Sequence, residues 1–295
     1  MRPTLRVALA TCTEFPEGEP GHEHLDAELE RRGHEGSWVC WDDPDVPWAS
    51  FDLVAVRSTW DYVARHEEFL GWARRVERDT VLLNGADVFA WNLDKAYLAR
   101  LGELATEPGA GSPAVVPTAL LGDGAPERAA LVAARAEFGD LVVKPRVGAG
   151  GVGVVVVRRD ADLDQVALDP VPSVAQPLVD SVRTTGELSV FVLDQRPVSM
   201  VIKVPGTGEI RVHEHLGGSS RPVDLDPELG ELAVATLRLS ERACGRPLTY
   251  GRVDLLHHDG RWRVSEVEVT EPGLYLDVVA DNASAFTDTL ERAAV

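Results

Sequence analysis

Between Leu141 and Arg158 the chain reads LVVKPRVGAGGVGVVVVR: an apolar run holding one lysine, six residues with four glycines, then a run of valines. Two β-branched strands joined by a glycine loop is what this pattern predicts. Residues 148–153 spell G-x-G-x-x-G. In a dinucleotide-binding turn, however, a helix follows the glycines. Here Val154–Val157 continue as strand. No Lys-Ser or Lys-Thr follows either, so the loop is not a P-loop. Two readings remain: an ordinary glycine-rich hairpin, or a flexible hairpin whose backbone N–H groups close over phosphates. Lys144 weights the second, because a lysine inside an apolar strand is costly unless it meets an anion. A lysine beside a glycine flap suggests a nucleoside triphosphate, whose metal ligands must come from elsewhere in the chain.

A chain of 295 residues can bury a sizeable core and is expected to fold as two or three subdomains. Its 44% hydrophobic and 26% charged residues are those of a soluble globular protein. A net charge of −19 argues against nucleic acid or an anionic membrane as principal partner. No apolar run reaches the length of a membrane span, and the first residues lack a signal-peptide core. Cys12, Cys40 and Cys244 are scattered and odd in number, as expected of reduced thiols in a cytoplasmic protein rather than of a disulfide frame or zinc site.

The N-terminal part alternates strands and helices. Strands are expected at Leu5–Ala10, Trp38–Trp41, Phe51–Val56 and Val81–Leu83, with helices from about His22 to Arg32 and Phe69 to Val76. Such alternation implies an α/β fold with a parallel sheet, whose ligands gather at the carboxyl ends of the strands. After the third strand comes Arg57-Ser58-Thr59-Trp60-Asp61-Tyr62. Arg57 has the planar fork to grip a carboxylate, and Trp60 or Tyr62 the bulk to wall a pocket. Equally, Ser58 or Thr59 caps a helix and the aromatics are core. Asn92-Leu93-Asp94-Lys95 is expected to open a helix reaching about Leu104, with Asp94 at its N-terminus and Lys95 in solvent. A loop rich in glycine and proline, Thr106 to Pro117, follows.

A helix at Pro126–Phe138, ended by Gly139, precedes the lysine strand. Val174–Val179, with Gln176 and Pro177, reads as a connector between lobes offering backbone to an adenine edge, or as an edge strand tolerant of proline. Strands are then expected at Gly186–Val192 and Ser199–Val204, a polar loop carrying Arg211 up to Gly217-Gly218, and an amphipathic helix at Pro227–Cys244. Tyr250–Leu256 and Trp262–Thr270 form a hairpin. A two-residue turn at Asp259-Gly260 would pair Asp254 with Ser265 and send it to the face opposite Glu266. A three-residue loop with a bulge at Gly260 shifts the register by one and puts Asp254, Glu266 and Glu268 on one face, with Val253, Val267 and Val269 on the other. The second arrangement is predicted. Three carboxylates on one face imply either magnesium between them or a solvated acidic surface.

Taken in order, these features resemble the ATP-grasp superfamily, in particular glutathione synthetase-like and RimK-like ligases. RSTWDY, NLDKAYL, RVDLL and EVEVTEPGLYL resemble more specifically the branch containing the cycloserine-forming O-ureido-serine cyclo-ligase. The resemblance runs through essentially the whole chain. It implies an N-terminal substrate domain at 1–104, a central lid lobe at 105–175 and a C-terminal lobe with the metal site at 176–295, the two lobes clasping ATP. It places Lys95 and Lys144 on the phosphates, under a flap with Gly148, Gly150, Gly151 and Gly153. Gln176 and the backbone of Leu178 would hold adenine, and Glu187 ribose. Lys203 and Arg211 would meet the transferred phosphoryl group, and Asp254, Glu266 and Glu268 two magnesium ions. The family usually has asparagine where Glu268 stands, which adds a negative charge to the site. Glu271, before Pro272, matches the branch motif and is expected to face substrate with Arg57, Ser58, Thr59, Trp60 and Asp61. The activity implied is ATP-dependent activation of a small carboxylate substrate as an acyl phosphate, then attack by a nitrogen nucleophile of the same molecule or of a second one. The sequence specifies no oligomeric state, and a homodimer is compatible with it.

Overall fold

The structure, a computed structural model, describes residues 3–107 and 113–294. Pro108, Gly109 and Gly111 of the expected loop lie outside the described residues. Three sheets organise the chain. The first is parallel, built of β1 (Arg6–Thr11), β2 (Glu35–Cys40), β3 (Leu53–Val56) and β4 (Val81–Leu82) in the order β2-β1-β3-β4. Helix α1 (His22–Arg31) covers one face and α2 (His66–Asp79) the other, so β1 and β3 are apolar on both sides. In α2, Phe69, Trp72, Ala73 and Val76 recur at helical spacing and are all buried against Ala8, Ala10, Val54 and Val56.

The expected helix from Asn92 to Leu104 is instead two, α3 (Ala86–Asn92) and α4 (Tyr97–Ala105). Between them the Asp94 carboxylate accepts the Ala96 N–H (2.9 Å) and the Arg146 guanidinium (2.8 and 2.5 Å), and this turn replaces helix. Although drawn into the first domain from sequence, α4 packs Leu98, Leu101 and Leu104 into the core of the third sheet.

The lid sheet comprises β5 (Ala119–Leu120), β6 (Leu141–Pro145), β7 (Val155–Val157) and β8 (Ser173–Pro177), antiparallel in the order β5-β8-β6-β7, with α5 (Arg128–Phe138) on it. Strand β8 is neither a free connector nor an edge: it pairs with β5 and with β6, and its proline is the last paired residue. Pairing of β8 with the lid sheet thus continues through Pro177.

The third sheet holds β9 (Glu187–Leu193), β10 (Arg196–Val204), β11 (Ser219–Val223), β12 (Tyr250–His258) and β13 (Arg261–Glu268), in the order β11-β10-β9-β12-β13. Strand β10 starts earlier than expected because Asp194 and Gln195 adopt positive φ (50° and 62°), making a tight two-residue hairpin without glycine. Strand β11, polar and half-exposed, has no alternation to betray it. Helix α6 (Pro227–Cys244) has the expected bounds, with Asp226 accepting the Glu228 N–H (2.8 Å) and Gly245 closing it at φ 71°. It covers one face of the sheet, where Leu188, Val190, Val192, Val253, Val267 and Val269 are buried. On the other face Phe191, Leu193, Val201 and Tyr250 pack into the core shared with the first domain, and the remaining part, with Glu187, Lys203, Arg252 and Asp254, is polar and lines the cavity. The last helix, α7 (Asn282–Ala293), returns to α1 and inserts Phe286 and Leu290 into the first core.

Candidate active site

A cavity of about 880 Å³ lies where the three sheets meet. Its floor is the polar face of the third sheet, and the register of the β12–β13 hairpin decides what points into it. The hairpin turn has two residues, not the expected three: Asp259 (φ 51°) and Gly260 (φ 75°) join paired His258 and Arg261. The shift comes further in. Leu255 pairs with Val264, but Asp254 pairs with Glu266, so Ser265 is the extra residue of a bulge. There Ser265 donates to the Asp254 carbonyl (3.0 Å), and Val264 exchanges hydrogen bonds with Ala114 and Val116 (both 2.8 Å). The shared face of Asp254, Glu266 and Glu268 is thus present, with Val253, Val267 and Val269 opposite, for a different reason from the one the turn suggested.

On that face the charges interlock. Lys203, 4% exposed, bridges Glu187 (2.5 Å) and Asp254 (3.1 Å). Arg252, unanticipated from sequence, reaches Asp254 through two bonds of 2.9 Å and also pairs with Glu268. It stands two residues before Asp254 on the same strand, so period-2 alternation was signal enough to find it. Lys95 is not in solvent: its ammonium donates to the Gly148 carbonyl (2.6 Å) and pairs with Glu266 (3.2 Å), tying the flap root to the acidic face. Lys144 lines the cavity with no ion pair or hydrogen bond to its ammonium among the described residues. Arg211 is held by Glu209 (2.6 Å) and donates to the flap at the Gly151 carbonyl (3.2 Å).

Gly148, Gly150 and Gly151 line the cavity; Gly153 does not, and its lack of a Cβ, which would stand 2.7 Å from Pro145 Cγ, lets the flap pass that ring. Gln176 is on the wall and donates to Thr118 (3.0 Å). The Leu178 N–H is bonded to the Asp140 carbonyl (2.9 Å), which leaves only its carbonyl for a ligand. Glu187 lines the cavity and gives one carboxylate oxygen, Oε1, to Lys203.

The expected substrate group divides. Trp60 and Asp61 line the cavity, with Asp61 committed to Trp41 (2.8 Å) and Arg65 (2.9 Å). Arg57, Ser58 and Thr59 are fully buried away from it. The Arg57 guanidinium binds Glu19 (2.7 and 3.1 Å) and the Pro272 carbonyl (2.5 Å), while Ser58 shares a hydrogen with Thr11 (2.6 Å). Of the three, Arg57 alone ties the Pro272 backbone to the first domain. Glu271 itself lines the cavity and accepts a hydrogen bond from Tyr62.

Burial pushes Glu268 up to about 8, and Asp254, Glu266 and Glu271 add to the shift against the pull of Arg252. Burial likewise raises Glu271 to about 7. Burial also opposes ionisation of Glu266, but Lys95 and Lys144 outweigh it and hold that carboxyl below the usual range. Carboxylate oxygens of Asp254, Glu266 and Glu268 lie within 4.8 Å of one another. This donor set fits magnesium: it is all oxygen, and its mutual repulsion is what a divalent cation relieves. His213, also missed from sequence, adds an imidazole to the wall whose Nδ1 is buried without a hydrogen-bond partner among the described residues. It lies in a loop with no periodicity to flag it.

Comparison with known proteins places this geometry. Residues 7–84 match the D-cycloserine synthetase DcsG N-terminal domain, and residues 112–281 match the prokaryotic glutathione synthetase ATP-grasp domain. The cycloserine biosynthesis protein DcsG of Streptomyces lavendulae is 30% identical over 266 residues, covering 85% of this chain and 87% of that protein. The glutathione synthetase of Agrobacterium fabrum is 28% identical over 168 residues, 54% of this chain and 50% of that enzyme. The crystal structure of D-cycloserine synthetase DcsG superposes with a TM-score of 0.81 at 29% identity, over 98% of this chain and 100% of the other. The D-alanine–D-alanine ligase of Bacillus anthracis shares the fold, with a TM-score of 0.66 at 14% identity over 99% and 97% of the two chains. By these matches the chain belongs to the ATP-grasp ligases, ADP-forming enzymes, and combines a DcsG-type N-terminal domain with a glutathione-synthetase-type ATP-grasp domain.

Proposed function

We propose that the protein activates the carboxylate of a small amino acid derivative with ATP and closes a ring within that molecule, as a cycloserine-forming cyclo-ligase. One observation carries the reading: likeness to the cycloserine enzymes runs through the N-terminal domain, which walls the cavity with Trp60 and Tyr62, whereas likeness to the glutathione synthetase of Agrobacterium fabrum covers about half the chain. Lys144, Lys95 and the flap amides suit the triphosphate, and Lys203, Arg211 and Arg252 offset charge on the transferred phosphoryl group. Asp254, Glu266 and Glu268 would hold magnesium, which supplies charge neutralisation at the phosphates when bound. The substrate carboxylate oxygen attacks the γ-phosphorus, ADP leaves, and nitrogen then displaces phosphate from the acyl carbon. No side chain has to act as nucleophile, so catalysis rests on positioning and charge.

The test is ADP release with magnesium and O-ureido-serine or other O-substituted serines, each supplied alone, with product mass read alongside. The reading expects ADP and a cyclic product from one organic substrate. A requirement for a second, amine-bearing substrate would replace it with an intermolecular ligase. Nucleotide binding without ADP release from any acid would replace it with a non-catalytic protein.

A further inference from the structure

His213 is a residue of this cavity whose side chain the charge network leaves uncommitted among the described residues. Every carboxylate on the polar face already has a partner: Asp254 has Lys203, Arg252 and Ser189, Glu187 has Lys203, Glu266 has Lys95, Glu268 has Arg252 and Glu271 has Tyr62. The lysines and arginines are cations and accept nothing. His213 lines the same cavity, makes no hydrogen bond through its ring among the described residues, and buries Nδ1. Its backbone is fixed, since the His213 carbonyl accepts the N–H groups of Leu216 (3.0 Å) and Gly218 (3.1 Å). The flap also meets it: a Cβ on Gly151 would come within 3.2 Å of the imidazole. The ring therefore sits against the flap at Gly151, which also meets Arg211, in the cavity that the proposed reaction uses.

From this geometry we infer that the His213 imidazole accepts the proton that the nitrogen nucleophile releases as it attacks the acyl phosphate. This rests on the ligase reading and adds a catalytic residue to it. The nitrogen lone pair forms the C–N bond, the C–O bond to phosphate breaks with its electrons leaving on phosphate, and the N–H proton passes to the imidazole. Burial, then Lys203, with His215 and Arg252 acting the same way and Glu266 against them, holds the ring down at about 4, so the imidazole is neutral with a lone pair throughout the neutral range.

The proposal separates the two half-reactions. In the His213→Gln variant, positional isotope exchange within labelled ATP, which reports acyl phosphate formation, is expected to stay within about threefold of the unmodified enzyme. Ring or amide formation should fall by about 10²–10⁴-fold, the usual contribution of a general base. In His213→Gly, added imidazole should restore part of the second step. A equal loss of isotope exchange and product formation would make His213 a phosphate or structural contact and overturn the proposal, as would full product formation in either variant. Should the Gln variant not fold, the Gly variant with and without imidazole decides on its own. If the unmodified enzyme neither exchanges isotope nor releases ADP with any acid, it is the ligase reading that fails.

Discussion

Replacing Arg57 with methionine distinguishes a buried brace from a substrate grip. Arg57 is 0% exposed and Glu19 is 2% exposed, and their ion pair joins the loop after β1 to the strand end after β3. The Glu19 carboxylate also accepts the Leu274 N–H (2.5 Å), and Arg57 holds the Pro272 carbonyl and stacks over Phe286 at 4.9 Å. Methionine fills much of the volume but leaves Glu19 charged and buried without its cation. Breaking a buried pair from one side costs about 3–5 kcal/mol. At about 2–4 °C per kcal/mol for a chain near this size, thermal unfolding should drop by roughly 6–20 °C. The Arg57→Met/Glu19→Gln double variant removes the stranded charge and should recover most of that loss. Circular dichroism melts of both variants read the effect, with the KM for the acid substrate measured below the transition. A melt within about 2 °C of the unmodified protein, coupled to a KM raised more than tenfold, would refute the brace and return Arg57 to the substrate site.

Two further predictions concern the flap and the acidic face. Gly151 has φ +72°, and a Cβ there would stand 2.9 Å from Arg211 Cδ, so Gly151→Ala should cost about 1–2 kcal/mol locally, a roughly 5–30-fold rise in the KM for ATP. Gly148→Ala, whose Cβ would meet Pro145 at an ordinary 3.7 Å, should change it less than threefold; steady-state kinetics on both variants decide. For pH, Glu268 and Glu271 are raised to about 8 and about 7, so above their ordinary value the folded state binds more protons than the unfolded one and stability falls as pH rises. His213, lowered to about 4, acts oppositely but only up to its ordinary 6.5, which leaves pH 6.5–8 as the clean window. Urea midpoints in EDTA should decline across it and flatten with magnesium, and a midpoint that rises with pH in EDTA would contradict the assignment.

Much of this protein is legible in order along the chain. The alternating strands and helices of the first domain, the two strands around the glycine loop and the capped helix from Pro227 to Cys244 follow from patterns a few residues long, whose physics is local. Side-chain alternation along β12 and β13 also restricts the three acidic residues to one of two faces. Polar edge strands escape such reading: β11 has one sheet neighbour and little to bury, so its composition carries no period.

Local pattern does not extend to choices that depend on distant chain. The hairpin register shifts at Ser265, next to the point where segment 114–116 docks on Val264, a contact across roughly 150 residues of sequence that no turn rule contains. Arg57 has the chemistry of a carboxylate grip, and only the arrival of Glu19 and the Pro272 carbonyl turns it inward. Lys95 looks solvated until Gly148 and Glu266 close on it from two lobes. Sequence by itself determined which residue types the cavity has to work with and which strands carry them, because propensity and alternation act over a few neighbouring residues. Tertiary structure decided which charges meet, since a buried ion is stable only beside the counter-charge that folding brings to it.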